Sequence, residues 1–244
     1  MKKLYVVGLG PGDQKGMTGH ALAALTEADV LCGYTKYIDL IAHLFPEKNI
    51  LATGMTREVE RCHAALQAAA EGKTVALVCS GDSGVYGMAG LIYELAGEYP
   101  PIDIEVVPGV SAAMAGAALL GAPLGHDFAV ISLSDLLTPW DLIEKRLDAT
   151  AGADFILCLY NPASKGRKDY LQKACDILLR HKGADTPCGW ARSIGREGEA
   201  CGVLTLSEMR EFEADMFTTV FVGNAMTRNL GGKLVTPRGY ETKA

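Results

Sequence analysis

The residues of this sequence that can do chemistry gather at three turns built from small residues. Cys79-Ser80-Gly81-Asp82-Ser83-Gly84-Val85-Tyr86-Gly87 follows an apolar run, Thr74-Val75-Ala76-Leu77-Val78, and places one carboxylate among residues small enough to let a ligand reach the backbone. Asp82 can accept ribose hydroxyls or face a cationic group; equally, Asp82 or Ser83 can simply cap a following helix. Gly8-Leu9-Gly10-Pro11-Gly12-Asp13 follows Leu4-Tyr5-Val6-Val7, and Pro108-Gly109-Val110-Ser111-Ala112 follows Ile104-Glu105-Val106-Val107 with a hydroxyl to offer. The first turn departs from the dinucleotide fingerprint G-x-G-x-x-G, because Asp13 stands in the third glycine's place and Pro11 stiffens the loop. An anion beside a pyrophosphate is unfavourable, so the loop suits a neutral or cationic ligand, or is only a turn.

No Ser-His-Asp or Cys-His signature accompanies these turns. The cysteines (32, 62, 79, 158, 175, 188 and 201) are scattered singly without a C-x-x-C pair, which indicates neither a zinc site, an iron–sulfur cluster nor a disulfide framework. They read as reduced, mostly buried thiols, and the sequence offers no ligand set for a dedicated metal. His20, His43, His63 and His181 fall in helical patterns and read as structural. His126 lies at a Gly/Pro break; imidazole titrates near neutrality, so it serves either as a general acid or base or as a hinge or cap.

The elements that must position these turns follow a β-α rhythm. Residues 17–28 and 36–44 read as helices with a strand near 29–33 between them. Residues 56–72 carry Val59, Cys62, Leu66 and Ala69 at helical spacing, with Arg57 and Arg61 on a solvated face and His63 near the apolar stripe. A helix follows from about residue 86 to 96. Right-handed β-α-β crossovers return strands in one direction, so all three turns should fall on one edge of a parallel sheet, where such sheets receive ligands. Residues 119–124, with Gly121 and Pro123, break the helical pattern and divide the chain into a domain of residues 1–121 and one of residues 122–244. In the second block, residues 128–133, 154–160, 187–192, 202–206 and 218–222 read as strands, with helices at 140–150 and 166–181. The late strands lack full intervening helices, so this sheet should turn antiparallel towards its end.

With 49% hydrophobic and 21% charged residues in 244, the composition is that of a globular α/β protein, not a disordered or fibrous one. The absence of a leader pattern and of a membrane-length apolar run suggests a cytoplasmic protein. A net charge of −6 argues against broad nucleic-acid or anionic-membrane binding, while leaving room for a local basic cleft.

Taken together and in this order, Gly8-Leu9-Gly10-Pro11-Gly12-Asp13, Ser80-Gly81-Asp82 with Val85-Tyr86-Gly87, Val107-Pro108-Gly109-Val110-Ser111-Ala112 and Ala122-Pro123-Leu124-Gly125-His126-Asp127 resemble the tetrapyrrole methyltransferase family nearly end to end. Within that family, Gly54-Met55, Glu60-Arg61-Cys62, Ile131-Ser132-Leu133-Ser134-Asp135-Leu136-Leu137-Thr138-Pro139-Trp140, Tyr160-Asn161-Pro162 and Thr236-Pro237-Arg238-Gly239-Tyr240 look like the branch that methylates carbon 17 of precorrin-3B or cobalt-factor III in cobalamin synthesis. The likeness is closer to the cobalt-containing, anaerobic side. The resemblance implies a bilobal fold of two α/β domains with S-adenosylmethionine in a cleft between them, distinct from the Rossmann-type methyltransferases, and a homodimer. It implies cofactor contacts from Pro11, Ser80, Gly81, Asp82, Val85, Tyr86, Ser111 and Ala112 in the first domain. From the second it implies Tyr160, Asn161, Arg192, Ser193, Thr218 and Thr219. Ser83 stands where many relatives carry proline.

Methyl transfer from a sulfonium is an in-line displacement that needs two reactants held about 3 Å apart and no side-chain nucleophile. The resembled reaction also contracts the macrocycle, which moves protons, and His126 and Asp135 are the residues this suggests as catalytic. Gly10, Ser134, Lys165 and Arg167 would meet the substrate, although Ser134 and Asp135 can equally cap the helix near Trp140. A polycarboxylate substrate needs local cations, supplied by Lys165, Arg167, Lys168, Arg192, Arg196, Arg228 or Arg238. Any cobalt would arrive inside the macrocycle. The competing readings are methylation at another ring position, a nucleotide-dependent oxidoreductase and a non-catalytic tetrapyrrole carrier.

Overall fold

A computed structural model describes residues 2–164 and 166–240; Lys165, expected at the substrate, lies outside them. The chain divides into two compact units, Met1–Ala112 and Ala113–Ala244.

The first unit alternates β1 (Lys3–Gly8), α1 (Gly19–Glu27), β2 (Val30–Tyr34), α2 (Thr35–Ile41), β3 (Asn49–Thr53), α3 (Glu58–Ala70), β4 (Thr74–Cys79), α4 (Ala89–Leu95) and β5 (Asp103–Val107). Its strands form one parallel sheet in the order β3-β2-β4-β1-β5. The period-2 geometry of a strand sends alternate side chains to opposite faces. Leu4, Val6, Val75 and Leu77 pack on one face with Cys62, Leu66 and Ile92. Tyr5, Val7, Ala76 and Val78 pack on the other with Leu25, Ile38 and Ile41. Covering both faces makes β1 and β4 near-continuous apolar runs, and each fully buried Leu or Val contributes about 1.5–3 kcal/mol.

The second unit carries α5 (Ala112–Leu120, beginning at the division), β6 (Gly121–Ala122), β7 (Phe128–Ser132), α6 (Trp140–Gly152), β8 (Ile156–Tyr160), α7 (Tyr170–Leu178), β9 (Pro187–Arg192), β10 (Ala200–Thr205), α8 (Leu206–Arg210), β11 (Thr218–Val222), β12 (Arg228–Leu230) and β13 (Lys233–Val235). Its main sheet has the order β10-β9-β11-β8-β7; β7 and β8 run parallel and the remaining pairs antiparallel, as the sequence suggests. Ile143, Leu147, Leu171, Cys175, Leu206 and Met209 cover one face. Gly116 and Leu120 of α5 meet the other, because a Cβ on Gly116 would lie 2.8 Å from Phe221 and one on Gly189 2.7 Å from Leu120.

Several local expectations are corrected. The helix expected from residue 86 starts at Ala89, because Tyr86 sits at φ +55° in a loop whose Ser83 carbonyl accepts the Ala89 N–H. The helix expected from residue 166 starts at Tyr170. Arg61, expected on a solvated face, is buried at 3% exposure. β3 is an added edge strand whose first four residues are exposed, so it carries no buried alternation to announce it. Among the described residues no helix is long and apolar enough to cross a membrane.

Candidate functional site

In the first unit β4, β1 and β5 are neighbours, so the turns after them emerge side by side at the sheet's carboxyl edge. Gly10 and Gly81 exchange both backbone hydrogen bonds, Gly10 N–H to Gly81 O at 3.0 Å and Gly81 N–H to Gly10 O at 2.9 Å. Gly81 does so at φ +68°, a conformation that glycine adopts without a Cβ penalty. The turn after β5 joins them by close approach: a Cβ on Gly109 would lie 2.2 Å from the Gly81 carbonyl oxygen and 2.6 Å from Gly8.

Asp82 clasps this arrangement. Its Oδ1 accepts the Gly84 and Val85 N–H groups at 2.8 and 3.0 Å, and its Oδ2 accepts the Gly109 N–H at 3.0 Å. Burial pushes the carboxyl's pKa up, but the N–H groups of Gly109, Gly84, Val85 and Ser83 outweigh it and hold Asp82 below its ordinary value. Ser83, fully buried, donates its hydroxyl to Val107 O at 3.0 Å, so it too ties the β4 loop to β5. Val85 and Tyr86 project from the loop, 42% and 58% exposed, and Ser80, Ser111 and Ala112 are half-buried beside it. Pro11 packs against Gly16, where a Cβ would meet its ring at 2.8 Å. Asp13 caps a short 3-10 turn, accepting the Gly16 N–H at 3.1 Å, and α1 begins only at Gly19 behind its cap Thr18. No helix therefore opens on the third position of the glycine loop, which removes the geometry a dinucleotide pyrophosphate requires.

In the second unit the strand directions bring the carboxyl ends of β7, β8 and β9 and the amino end of β11 to one edge. Most of the residues expected there are on it. Asn161, at φ +53°, donates its side-chain amide to Ser132 Oγ at 2.9 Å, and the Tyr160 hydroxyl accepts the Ala113 N–H at 2.8 Å. Arg192 lies opposite Thr218 in the ladder and its guanidinium stacks on Trp190 at 5.6 Å. Ser193, at φ +51°, donates its N–H to Phe217 O, and Thr218 donates its hydroxyl to Asp215 at 2.7 Å. Thr218 and Thr219 are buried.

Asp135 sits between the Tyr170 hydroxyl at 2.6 Å and Arg167 Nη1 at 2.8 Å, and Arg167 also donates to Ser134 Oγ at 3.1 Å and Ser164 Oγ at 3.0 Å. Tyr170, then Arg167, holds the Asp135 carboxyl below its ordinary value. His126, the other residue suggested as catalytic, lies before the amino end of β7, whereas Ser134 and Asp135 follow its carboxyl end. The two are not brought together. His126 Nε2 is buried with no hydrogen-bond partner among the described residues, in a link held by Thr236 to Pro123 O at 2.6 Å and by Arg238 to Gly125 O at 3.2 Å.

Sequence reasoning missed the tying roles of Ser83, Gly109, Tyr170 and Asp215. Only Gly109 carried a signal, a glycine immediately after Pro108 at a strand end.

A family model described as tetrapyrrole (corrin/porphyrin) methylases matches residues 3–210. The chain belongs to this family. Among its relatives, a probable cobalt-factor III C(17)-methyltransferase of Salmonella typhimurium is 48% identical over 238 residues, covering 97% of this chain and 99% of the relative. A precorrin-3B C(17)-methyltransferase of a Sinorhizobium species is 41% identical over 229 residues, covering 92% and 90%. The crystal structure of the methyltransferase CobJ superposes with a TM-score of 0.89 at 39% identity, covering 96% of this methylase and 99% of that chain.

Proposed function

We propose that this methylase transfers a methyl group from S-adenosyl-L-methionine to carbon 17 of cobalt-factor III during cobalamin biosynthesis, releasing S-adenosyl-L-homocysteine and contracting the macrocycle. The observation that carries the reading is the 48% identity with the Salmonella relative over 97% of this chain, which exceeds the 41% with the precorrin-3B relative and so favours the cobalt-containing substrate. The donor supplies a methyl on a positively charged sulfur. An ionised Asp82 at the head of the β4 loop suits a cationic ligand, and the loop's small residues let that ligand approach the backbone. Gly81, Asp82, Val85 and Tyr86 hold the donor in the first unit, with Ser80, Pro11, Ser111 and Ala112 around them. Tyr160, Asn161, Arg192, Ser193, Thr218 and Thr219 complete its contacts from the second.

Displacement at the methyl asks for alignment, which the cross-tied turns provide by removing freedom from the loops. On the substrate side, Gly10 and the Ser134-Asp135 turn meet the macrocycle, and Arg167, braced by Ser134 and Ser164, supplies a fixed positive charge for its carboxylates. The protein works as a homodimer in the cytoplasm in this reading. Incubating the protein with S-adenosylmethionine and cobalt-factor III and following product mass tests it: one added methyl is expected, and no mass gain with a competent substrate overturns it.

A further inference from the structure

Arg61 leaves a positive charge unbalanced inside the first unit. It sits in the opening turns of α3 at 3% exposure, and the groups its guanidinium meets are neutral. Nε–H donates to Thr53 Oγ1 at 2.8 Å, Nη2 to the Gly54 carbonyl at 2.8 Å and Nη1 to Met88 Sδ at 3.5 Å, while the Tyr34 ring lies 5.9 Å away. No carboxylate pairs with it among the described residues. Of the nearby acids, Glu60 is taken by Arg57 and Asp82 by backbone N–H groups. A guanidinium carries five N–H donors, and these three bonds leave one free on each terminal nitrogen.

Burying a charge without a counter-charge is costly, and an apolar side chain of similar length would pack α3 onto the sheet at lower cost. Departures from local rules of this kind concentrate where a protein binds something. The location agrees: Tyr34 ends β2 and Thr53 ends β3, both on the carboxyl edge that also carries the glycine turns. The cover is thin, since a Cβ on Gly54 would meet nothing within 4 Å and Met55 beyond it is half exposed.

We propose that the carboxyl edge of β2 and β3 is a carboxylate-binding position, with Arg61 as its cation and Thr53 and Gly54 as its rim. The inference leans on the methyl-transfer reading only for where the carboxylate comes from: the amino-acid end of the methyl donor or an acidic side chain of the tetrapyrrole.

The test is Arg61→Met, which keeps the apolar stem and removes the charge. Its thermal midpoint should equal or exceed that of the native protein. Calorimetry with S-adenosylhomocysteine and titration with cobalt-factor III should show one of the two binding about ten- to a hundredfold more weakly, which identifies the source. Arg61→Lys should recover part of the loss. A lower midpoint with both affinities unchanged, or equal weakening of both ligands, overturns the proposal. On the native protein, the Arg61 side-chain N–H resonances should shift with one of the two ligands, and no shift with either overturns it whether or not the variant folds. Weaker S-adenosylhomocysteine binding by Arg61→Met would uphold the carboxylate position even if cobalt-factor III gains no methyl.

Discussion

Asp82 Oδ2 takes the Gly109 N–H at 3.0 Å, and that bond, beside the one from Ser83 to Val107 O, joins the loop after β4 to β5 and the turn that follows it. Because Oδ1 also holds Gly84 and Val85, Asp82→Ala strips acceptors from three backbone donors at once. Denaturant unfolding should show a loss of about 1–3 kcal/mol, accompanied by weaker binding of S-adenosylhomocysteine in calorimetry. The folded carboxyl lies below its unfolded value, so its contribution is present above about pH 4 and disappears as the pH falls through the folded value. Asp82→Ala should therefore flatten the acid limb of the stability profile, and an unchanged limb would remove Asp82 from that account.

The same chemical change should have opposite signs at two glycines. Gly109→Ala puts a methyl 2.2 Å from the Gly81 carbonyl oxygen, a backbone atom that can retreat only by separating the turns. About 1–3 kcal/mol of stability should go with it, and binding of S-adenosylhomocysteine as well. Gly90, inside α4, would meet nothing within 4 Å. Gly90→Ala should stabilise by about 0.5–1 kcal/mol with ligand affinity unchanged. Paired melting curves and titrations check both.

Periodicity and turn chemistry made the parallel sheet and its three turns readable because β1 and β4 are buried on both faces and end in glycines. β3 was not readable, since Ile50 and Leu51 face water at an edge and only the pairing with β2 makes that segment a strand. Arg61 misled for a related reason: residue type suggests a solvated charge, while the tertiary packing of Tyr34, Thr53 and Met88 around it decides otherwise. His126 and Asp135, both suggested as catalytic from residue type, lie at opposite ends of β7, whose five residues stand between their segments. Tyr170 was invisible as a ligand of Asp135 because they are far apart in sequence and meet only through tertiary packing, with α7 lying between α6 and α8.

Thiol chemistry should single out Cys201. Burial pushes Cys79 up to about 11 and Cys32, Cys62, Cys158 and Cys175 up to about 12, and Cys188 is pushed up as well. A thiol so raised and so covered presents almost no thiolate near pH 8. Cys201 is exposed. An aromatic disulfide reagent should titrate one thiol per folded chain and all seven after denaturation. Rapid native reaction of a second would show that a core opens.

Tyr170 and Arg167 both hold the Asp135 carboxyl below its ordinary value, so removing either should register in the carboxyl's own titration. Tyr170→Phe should move the Asp135 midpoint up towards an ordinary carboxylate, read from its side-chain carbon resonance. Arg167→Gln should do the same and also free Ser134 and Ser164, loosening the turn proposed to meet the macrocycle. The KM for the tetrapyrrole should then rise several-fold in Arg167→Gln, while S-adenosylhomocysteine binds as before, because the guanidinium both braces the turn and presents the positive charge. In Tyr170→Phe the guanidinium stays in place, and the KM should change less. An equal rise in both variants would assign the effect to the geometry of the Asp135 turn alone and take the charge of Arg167 out of substrate binding.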